Sequence, residues 1–138
     1  MESFLQALRD SKLKITPRRK AVIRLFEESG VCMGAYDVYE RLKNRLPTLG
    51  LPTVYRILDE LSSAGILARA VSEDRQLRCM LCGNSHEHHH HFTCRKCKKV
   101  EEVDFCNFEK VAKFIEKNLN AKVEAHKLQI EGLCSKCR

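Results

Sequence analysis

The sequence predicts an α+β protein in which a winged helix-turn-helix is followed by a small, cysteine-rich α/β domain. In the first half, apolar residues recur at helical spacing between turn signals, and a hairpin pattern follows them. Seven of the eight cysteines lie after residue 78, and two Cys-x-x-Cys pairs flank four consecutive histidines. Because the composition changes near residue 80, we predict two domains, 1–80 and 81–138.

Start and stop signals bound four helices in the first half. Thr16 followed by Pro17 predicts a helix start, because the hydroxyl caps the first turn and proline suits the first helical position. Pro52 opens the fourth helix in the same way, and Gly65 suits the left-handed residue that follows a helix. The predicted helices span 2–11, 17 to before Gly30, 35–46, and 51 to before Gly65.

A hairpin and a smaller mixed unit complete the pattern. Residues 66–71 and 76–80 alternate imperfectly around a polar turn, so we predict that they pair as the wing. The helix before the wing is then the recognition helix. In the second half, we predict strands at 88–93, 100–103 and 122–130 and a helix at 108–119. A cysteine pair follows the first of these strands.

Charge and cysteine usage limit the classes of function. The formal net charge is +7, and seven basic residues against one acidic residue lie between Arg9 and Arg24. This cluster suits a polyanion or forms a solvated helix face. There is no apolar signal segment and no run of the ~20 apolar residues that a membrane helix needs, so we expect a soluble, cytoplasmic protein. Thiols stay reduced there, which favours metal ligation over disulfides.

The cysteine pairs predict a structural zinc site. Cys94 and Cys97 follow the first predicted strand of the second half, and Cys134 and Cys137 follow the last one. Four thiolates are the usual composition of a closed, tetrahedral zinc site. Such a site would join both ends of this domain.

The histidine run predicts two further groups of ligands. Alternate strand residues point to opposite faces, so His88 and His90 share one face while His89 and His91 share the other. Each pair needs partners from elsewhere, because two imidazoles do not complete a coordination shell of four ligands. The candidate partners are Cys32, Cys79, Cys82, Glu109 and His126.

Two longer motifs resemble those of the ferric uptake regulator superfamily of bacterial metal-dependent repressors. LPTVYRIL at 51–58 resembles its recognition helix, and HHHHFTCRKC at 88–97 resembles its histidine and cysteine signature. The similarity covers nearly the whole chain and is greatest to the zinc-sensing branch. It implies a homodimer whose winged helices bind a pseudopalindromic DNA operator, with 81–138 as the metal-binding dimerisation domain and no enzymatic activity.

The resemblance implies DNA contacts from two segments. Tyr55 and Arg56 stand where the family contacts DNA from the recognition helix, and Thr53 lies near its start. KITPRR at 14–19 resembles the basic motif of the second helix, with Lys14 replacing the usual arginine and Arg18 the usual glutamine. The implied DNA-binding residues are Lys14, Arg18, Arg19, Thr53, Tyr55 and Arg56.

The resemblance also implies three metal sites. His89 and His91 match ligands of the regulatory site between the domains, and Cys32 replaces a hinge histidine. Cys79 is the preferred ligand from the hairpin, with Cys82 as the alternative. Two thiolates and two imidazoles favour zinc over ferrous or manganous ions. The other two sites are the structural zinc of Cys94, Cys97, Cys134 and Cys137, and an additional site of His88, His90, Glu109 and His126.

Together these features predict a zinc-responsive transcriptional repressor of metal-uptake genes. One ion shared by the two domains would hold the recognition helices at the spacing of successive major-groove half-sites. The alternatives are an iron-responsive regulator, a peroxide sensor and a zinc-stabilised DNA-binding protein without sensing. A zinc hydrolase is disfavoured because none of the predicted helices carries an HExxH motif. We expect no membrane partner or small-molecule substrate, and Cys106 receives no role.

Overall fold

The computed structural model describes residues 1–83 and 88–138 and has the predicted α+β architecture. Within these ranges, four helices precede a two-stranded hairpin, and a three-stranded sheet with one further helix follows. The elements are α1 (Glu2–Asp10), α2 (Pro17–Ser29), α3 (Ala35–Leu42), α4 (Leu51–Ser63), β1 (Leu67–Val71), β2 (Leu77–Leu81), β3 (His90–Cys94), β4 (Val100–Val103), α5 (Phe108–Leu119) and β5 (Gln129–Gly132).

Local signals set the ends of the helices. The backbone N–H of Arg19 donates a hydrogen bond to the Thr16 hydroxyl at 3.2 Å, which caps α2. Gly30 ends this helix with a left-handed φ of 61°. α3 ends at Leu42 rather than at the predicted 46, because the chain tightens into a turn in which the Arg45 N–H donates to the Leu42 carbonyl oxygen at 3.0 Å.

The first four helices and the hairpin enclose one apolar core. Phe26 of α2, Leu61 of α4 and Ile66 at the entry to β1 are almost completely buried. Burial of each such side chain stabilises the fold by about 1.5–3 kcal/mol. Gly65 has a φ of 74°, which lets the chain leave α4 and enter the wing without a longer loop. The core therefore fixes the orientation of α4 relative to the wing.

The second sheet has the strand order β4-β3-β5, with β3 antiparallel to β4 and parallel to β5. Its last strand spans Gln129–Gly132, which is later and shorter than the predicted 122–130. Residues 121–128 are described but form no helix or strand. This irregular segment carries His126 back over the histidines beside β3.

α5 has an unpartnered apolar face within the chain. None of its residues is buried, although Val111, Phe114 and Leu119 are large and apolar. Phe105 before the helix and Leu128 after it are also exposed. A cluster of large apolar side chains exposed on one element is typical of an interface. No described helix is both long enough and apolar enough to cross a membrane.

The wing and the second sheet face each other across a cleft of about 740 Å³. The histidines at 88–91 line this cleft together with residues of both wing strands. Hydrogen bonds between the two halves of the chain join the Cys32 N–H to the Lys98 carbonyl at 3.0 Å, the Val100 N–H to the Gly30 carbonyl at 3.0 Å, and Gln129 Nε2 to the Val71 carbonyl at 2.6 Å.

Candidate metal centres and nucleic-acid interface

The four-cysteine group lies where two neighbouring strands end. Cys94 ends β3 and Cys134 follows β5, and because these strands are parallel, both Cys-x-x-Cys pairs reach the same edge of the sheet. The sulfur atoms of Cys97 and Cys134 are 3.7 Å apart. This is close to the edge of about 3.8 Å in a tetrahedron with metal–sulfur bonds of about 2.3 Å. The structure therefore brings together the four residues that the sequence assigns to structural zinc.

The backbone around this group favours a thiolate. Hydrogen bonds from the backbone at Cys97 and then Cys134 lower the pKa of Cys94 to about 6. The pKa of Cys137 is raised, because its proton is shared with the Cys134 sulfur. Thiolates are the metal-binding form of cysteine, so the group is arranged to accept a cation.

A second group lies in the cleft between the wing and the sheet. It contains Cys82, which follows β2, and the imidazoles of His89 and His91. Cys82 Sγ is 3.2 Å from His89 Nε2. Glu102 of β4 borders the group, with Oε1 at 4.0 Å from His89 Nε2, and accepts a hydrogen bond from the Gly83 N–H at 2.8 Å. The wing side of the cleft thus contributes one thiol, and the sheet side contributes two imidazoles and a nearby carboxylate.

The imidazole of His91 provides a test of whether this group fits a metal ion. Its Nε2 atom is buried and has no hydrogen-bond partner among the residues that the structure describes. Burial, followed by the nearby His89, lowers the pKa of His91, which keeps the ring neutral at pH 7. A buried polar atom without a partner costs about 1–3 kcal/mol. Coordination of a cation would remove this cost, and nitrogen and sulfur ligands are those that zinc prefers.

Cys79, the preferred hairpin ligand of the sequence prediction, lies outside this group among the described residues. Cys79 packs in the helical core, and Leu81, two residues later on β2, packs against the same core. Met80 and Cys82 line the cleft instead. Because strand residues alternate between faces, Cys79 and Cys82 cannot both face the histidines. Cys82, the alternative ligand, takes the place expected for Cys79.

Cys32 also lies outside the group. It is buried and lines a different cavity of about 550 Å³, together with Arg78 and Lys98. Burial raises the pKa of the Cys32 thiol, which opposes formation of the thiolate. We expect Cys32 to replace a hinge histidine as a metal ligand. Among the described residues, however, it belongs to no group of candidate metal ligands.

A third group lies on the other side of the histidine run. His88 and His90 meet His126 and Cys106 there. The Nε2 atoms of His88 and His90 are 3.1 Å apart, those of His90 and His126 are 3.3 Å apart, and Cys106 Sγ is 3.4 Å from His126 Nε2. Glu109, which was expected to complete this set, is absent from the group. Its side chain is 78% exposed and forms an ion pair with a lysine one turn along α5.

Cys106 is the candidate ligand that sequence reasoning missed. It stands in the loop between β4 and α5, three residues before Glu109, and turns back towards the sheet. The available signal was its short distance along the chain from the expected glutamate, in a protein whose other thiols cluster with imidazoles. This proximity alone does not show whether the ligand is the loop cysteine or the carboxylate on α5, because the answer depends on the path of the loop.

Helix α4, the predicted recognition helix, presents its polar face to solvent. Its apolar stripe is buried in the core, whereas Tyr55 is 56% exposed and the Arg56 side chain is 69% exposed. Thr53 is half-buried in the first turn. Arg56 Nε lies 4.0 Å from Glu60 Oε1, which is too long for a hydrogen bond. Tyr55 and Arg56 are therefore accessible to a ligand.

The basic motif at 14–19 contacts the recognition helix. Arg19 donates from Nε and Nη2 to Glu60 Oε2 at 3.0 and 2.8 Å, and from Nη1 to the Lys14 carbonyl at 2.6 Å. Arg18 Nη2 donates to the Thr48 hydroxyl at 3.0 Å, just before α4 begins. Arg19 is thus engaged within the protein and links α2 to α4, while Lys14 is exposed.

Comparison with known proteins decides the family. Residues 10–131 match the sequence pattern of the ferric uptake regulator family. The ferric uptake regulation protein of Bacillus subtilis (strain 168) is 34% identical over 139 residues, which cover 99% of this chain and 93% of that protein. The chain belongs to the ferric uptake regulator family. It is accordingly a metal-responsive, DNA-binding regulator, which confirms the predicted superfamily and fold class.

Members of the family with different sensing roles are similar to this chain. The peroxide-responsive repressor PerR of Staphylococcus epidermidis (strain ATCC 12228 / FDA PCI 1200) is 26% identical over 138 residues, covering 100% of this chain and 90% of that protein. Among solved structures, the ferric uptake regulator of Vibrio cholerae has 30% identity and a TM-score of 0.64, covering 94% of this chain and 98% of that chain. A zinc uptake regulator complexed with zinc and DNA has 25% identity and a TM-score of 0.77, covering 99% of this chain and 93% of that chain. All three are regulators rather than enzymes.

Proposed function

We propose that this chain is a zinc-responsive transcriptional repressor of metal-uptake genes, with Cys82, His89 and His91 as its regulatory ligands. The observation that carries the proposal is that a thiol at the end of the wing meets two imidazoles beside the sheet, where the buried His91 Nε2 has no hydrogen-bond partner among the described residues. A cation bound there would join the wing to the sheet. The proposal retains the division into a DNA-binding domain, 1–80, and a metal-binding dimerisation domain, 81–138, in a cytoplasmic protein, with Cys82 at the boundary because the wing strand β2 ends at Leu81.

The chain's own residues explain how such a joint affects DNA binding. Cys82 follows the wing directly, and the wing strand β1 follows α4 after a turn of three residues, 64–66, that contains the left-handed Gly65. Because the same apolar core packs α4 and the wing, fixing Cys82 fixes the recognition helix too. Two such helices in a homodimer are then held at the spacing of major-groove half-sites. Tyr55 and Arg56 contact bases or phosphates, and exposed Lys14 adds a phosphate contact.

The donor set supports zinc as the sensed metal. One thiolate and two imidazoles form a soft, nitrogen-rich set, and Glu102 offers a fourth, oxygen ligand 4.0 Å from His89. Such a set suits zinc better than ferrous or manganous ions, which prefer more oxygen ligands. The similarity to a zinc uptake regulator complexed with zinc and DNA also supports this choice. An iron-responsive regulator or a peroxide sensor is the alternative, since a ferric uptake regulation protein is 34% identical and a peroxide-responsive repressor 26% identical to this chain, compared with 25% for the zinc uptake regulator.

The apolar face of α5 supports a homodimer. Phe114 is 65% exposed on this face, together with neighbouring large apolar side chains. A second copy of the chain would cover them, and a twofold dimer matches a pseudopalindromic operator. The dimer would also place two recognition helices in one particle.

The regulatory site can be tested with two cysteine variants. The protein is first treated with a mild chelator so that only the tetrathiolate group keeps its metal. Binding to a duplex that the zinc-loaded protein selects from random-sequence DNA is then titrated with zinc. We expect Cys82→Ser to lose the DNA response and one zinc per chain, while the tetrathiolate metal remains. Cys79→Ala is the matched control, and we expect it to keep both, because Cys79 faces the core.

The opposite pattern would reject the proposal. If Cys82→Ser responded to zinc like the unaltered protein, Cys82 would not be part of the switch. If Cys79→Ala lost the response while it remained folded, Cys79 would be the ligand after all.

A further inference from the structure

Cys106 and three imidazoles surround a point with the dimensions of a tetrahedral metal site. Bonds of about 2.0–2.1 Å to nitrogen and about 2.3 Å to sulfur place two nitrogen ligands about 3.3 Å apart, and a nitrogen and a sulfur about 3.6 Å apart. The observed Nε2–Nε2 distances are 3.1 Å for His88 and His90 and 3.3 Å for His90 and His126. The distance from Cys106 Sγ to His126 Nε2 is 3.4 Å. The four side chains need little rearrangement to share one ion.

We propose that Cys106 is the fourth ligand of this group and that it determines which metal the group takes. Three imidazoles and one thiolate form a soft donor set of the zinc class. With Glu109 as the fourth ligand, the set would instead combine nitrogen with a hard oxygen and would accept manganous or ferrous ions more readily. The presence of sulfur at this position therefore makes the group selective for zinc and chemically similar ions.

The local structure favours Cys106 over Glu109. The ring of Phe108, the first residue of α5, is stacked on His126 with centroids 3.9 Å apart and planes at 11°. The loop that ends at Phe108 therefore holds Cys106 beside the His126 ring. Glu109 comes one residue after Phe108, so it lies about 100° further around the helix. There its carboxylate is exposed and pairs with Lys113 at 2.7 Å.

This group shares no ligand with the proposed regulatory site. All four ligands lie between 88 and 126 in the second half of the chain, and none comes from the wing. Its occupancy can therefore be measured when the regulatory group is disabled. The inference holds whether or not zinc controls DNA binding.

Cobaltous ion is a suitable probe, because cobalt bound to a thiolate shows a near-ultraviolet charge-transfer band and tetrahedral cobalt shows intense visible bands. The measurement uses a Cys82→Ser protein that retains zinc in its tetrathiolate group. We expect cobalt to produce both signals in this protein. Adding Cys106→Ser should abolish the charge-transfer band and weaken zinc binding to this group by roughly tenfold or more. Adding Glu109→Gln, the matched control, should change neither.

A second variant separates ligand loss from misfolding. In Cys106→His, we expect the visible tetrahedral bands to remain and only the charge-transfer band to disappear, because imidazole replaces the thiolate. Persistence of the charge-transfer band in Cys106→Ser or Cys106→His would overturn the proposal. So would the absence of that band in the Cys82→Ser protein, or the loss of cobalt binding in Glu109→Gln.

Discussion

Arg56 is the residue whose exposure and position best suit DNA contact. Its side chain is 69% exposed on α4 and lies too far from Glu60 for a hydrogen bond. We predict that Arg56→Ala weakens binding to the selected duplex by about 1–3 kcal/mol, as expected for the loss of one base or phosphate contact. Fluorescence anisotropy at fixed salt measures this change. Metal content should stay the same, because the arginine side chain is not a metal ligand and Arg56 lies on α4, outside the groups of candidate ligands found among the described residues.

A charge-matched variant controls for net charge. Lys122→Ala removes one exposed positive charge from the segment after α5, where its side chain is 84% exposed. It should leave DNA binding nearly unchanged. Equal weakening by Lys122→Ala would mean that Arg56 acts only through the overall charge of the protein. Loss of metal in Arg56→Ala would also contradict the role assigned to it.

Individual ligands were predictable only where the spacing was rigid. The spacing of the Cys-x-x-Cys pairs and the alternation of faces at 88–91 assign these ligands to separate metal groups without knowledge of the fold. The resemblance favours Cys79 over Cys82, but the sequence does not reveal which face of β2 meets the helical core. It also implies Glu109 and gives no role to Cys106, because the path of an irregular loop has no periodic signal. In both places, the grouping of side chains in the structure depends on contacts between residues far apart in the chain.

At the scale of elements, the cap of α2 has a measurable energetic role. Thr16 accepts the Arg19 N–H at 3.2 Å and satisfies one of the unpaired donors of the first turn. We predict that Thr16→Ala lowers the free energy of unfolding by about 1 kcal/mol. Urea denaturation of the metal-loaded protein measures this loss. The change in denaturant midpoint should occur without loss of metal.

Ser63→Ala is the matched control for the cap. Ser63 is an exposed residue at the end of α4 and does not cap the start of a helix. The free energy of unfolding should change by less than about 0.5 kcal/mol in this variant. If both variants were equally destabilised, the Thr16 cap would have no special contribution.

Most elements could be predicted, and the errors concern their ends. Thr16, Pro17 and Gly30 bound α2 as expected, because capping and left-handed turns depend on single residues. α3 ended before the predicted 46 and β5 began after the predicted 122. The apolar pattern continues through both of these segments. The residues at which α3 ends and β5 begins depend on packing and on the positioning of His126. The local sequence does not determine either of these.

At the scale of the whole molecule, the apolar face of α5 predicts a dimer. We expect Phe114→Lys to convert the protein to a monomer at micromolar concentration, because a charge would be buried in the interface. Sedimentation equilibrium measures the change in mass. The monomer should still fold and keep its tetrathiolate metal, because Phe114 is exposed within one chain.

Leu77→Lys tests whether any exposed apolar residue would give the same effect. Leu77 is 51% exposed on the wing, away from α5. The dimer should persist in this variant. A dimer that persisted in Phe114→Lys as well would place the interface elsewhere on the molecule.

Coupling between the metal and DNA is the property on which the whole account depends. If zinc tightens DNA binding by some factor, DNA must tighten zinc binding by the same factor. The most direct measurement is a titration of binding to the selected duplex with zinc, ferrous and manganous ions, on protein that retains metal only in the tetrathiolate group. We predict that zinc restores tight binding at lower concentration than either other ion and that Cys82→Ser removes this response. Restoration by ferrous ion but not by zinc, or tight binding with no added metal, would contradict the account.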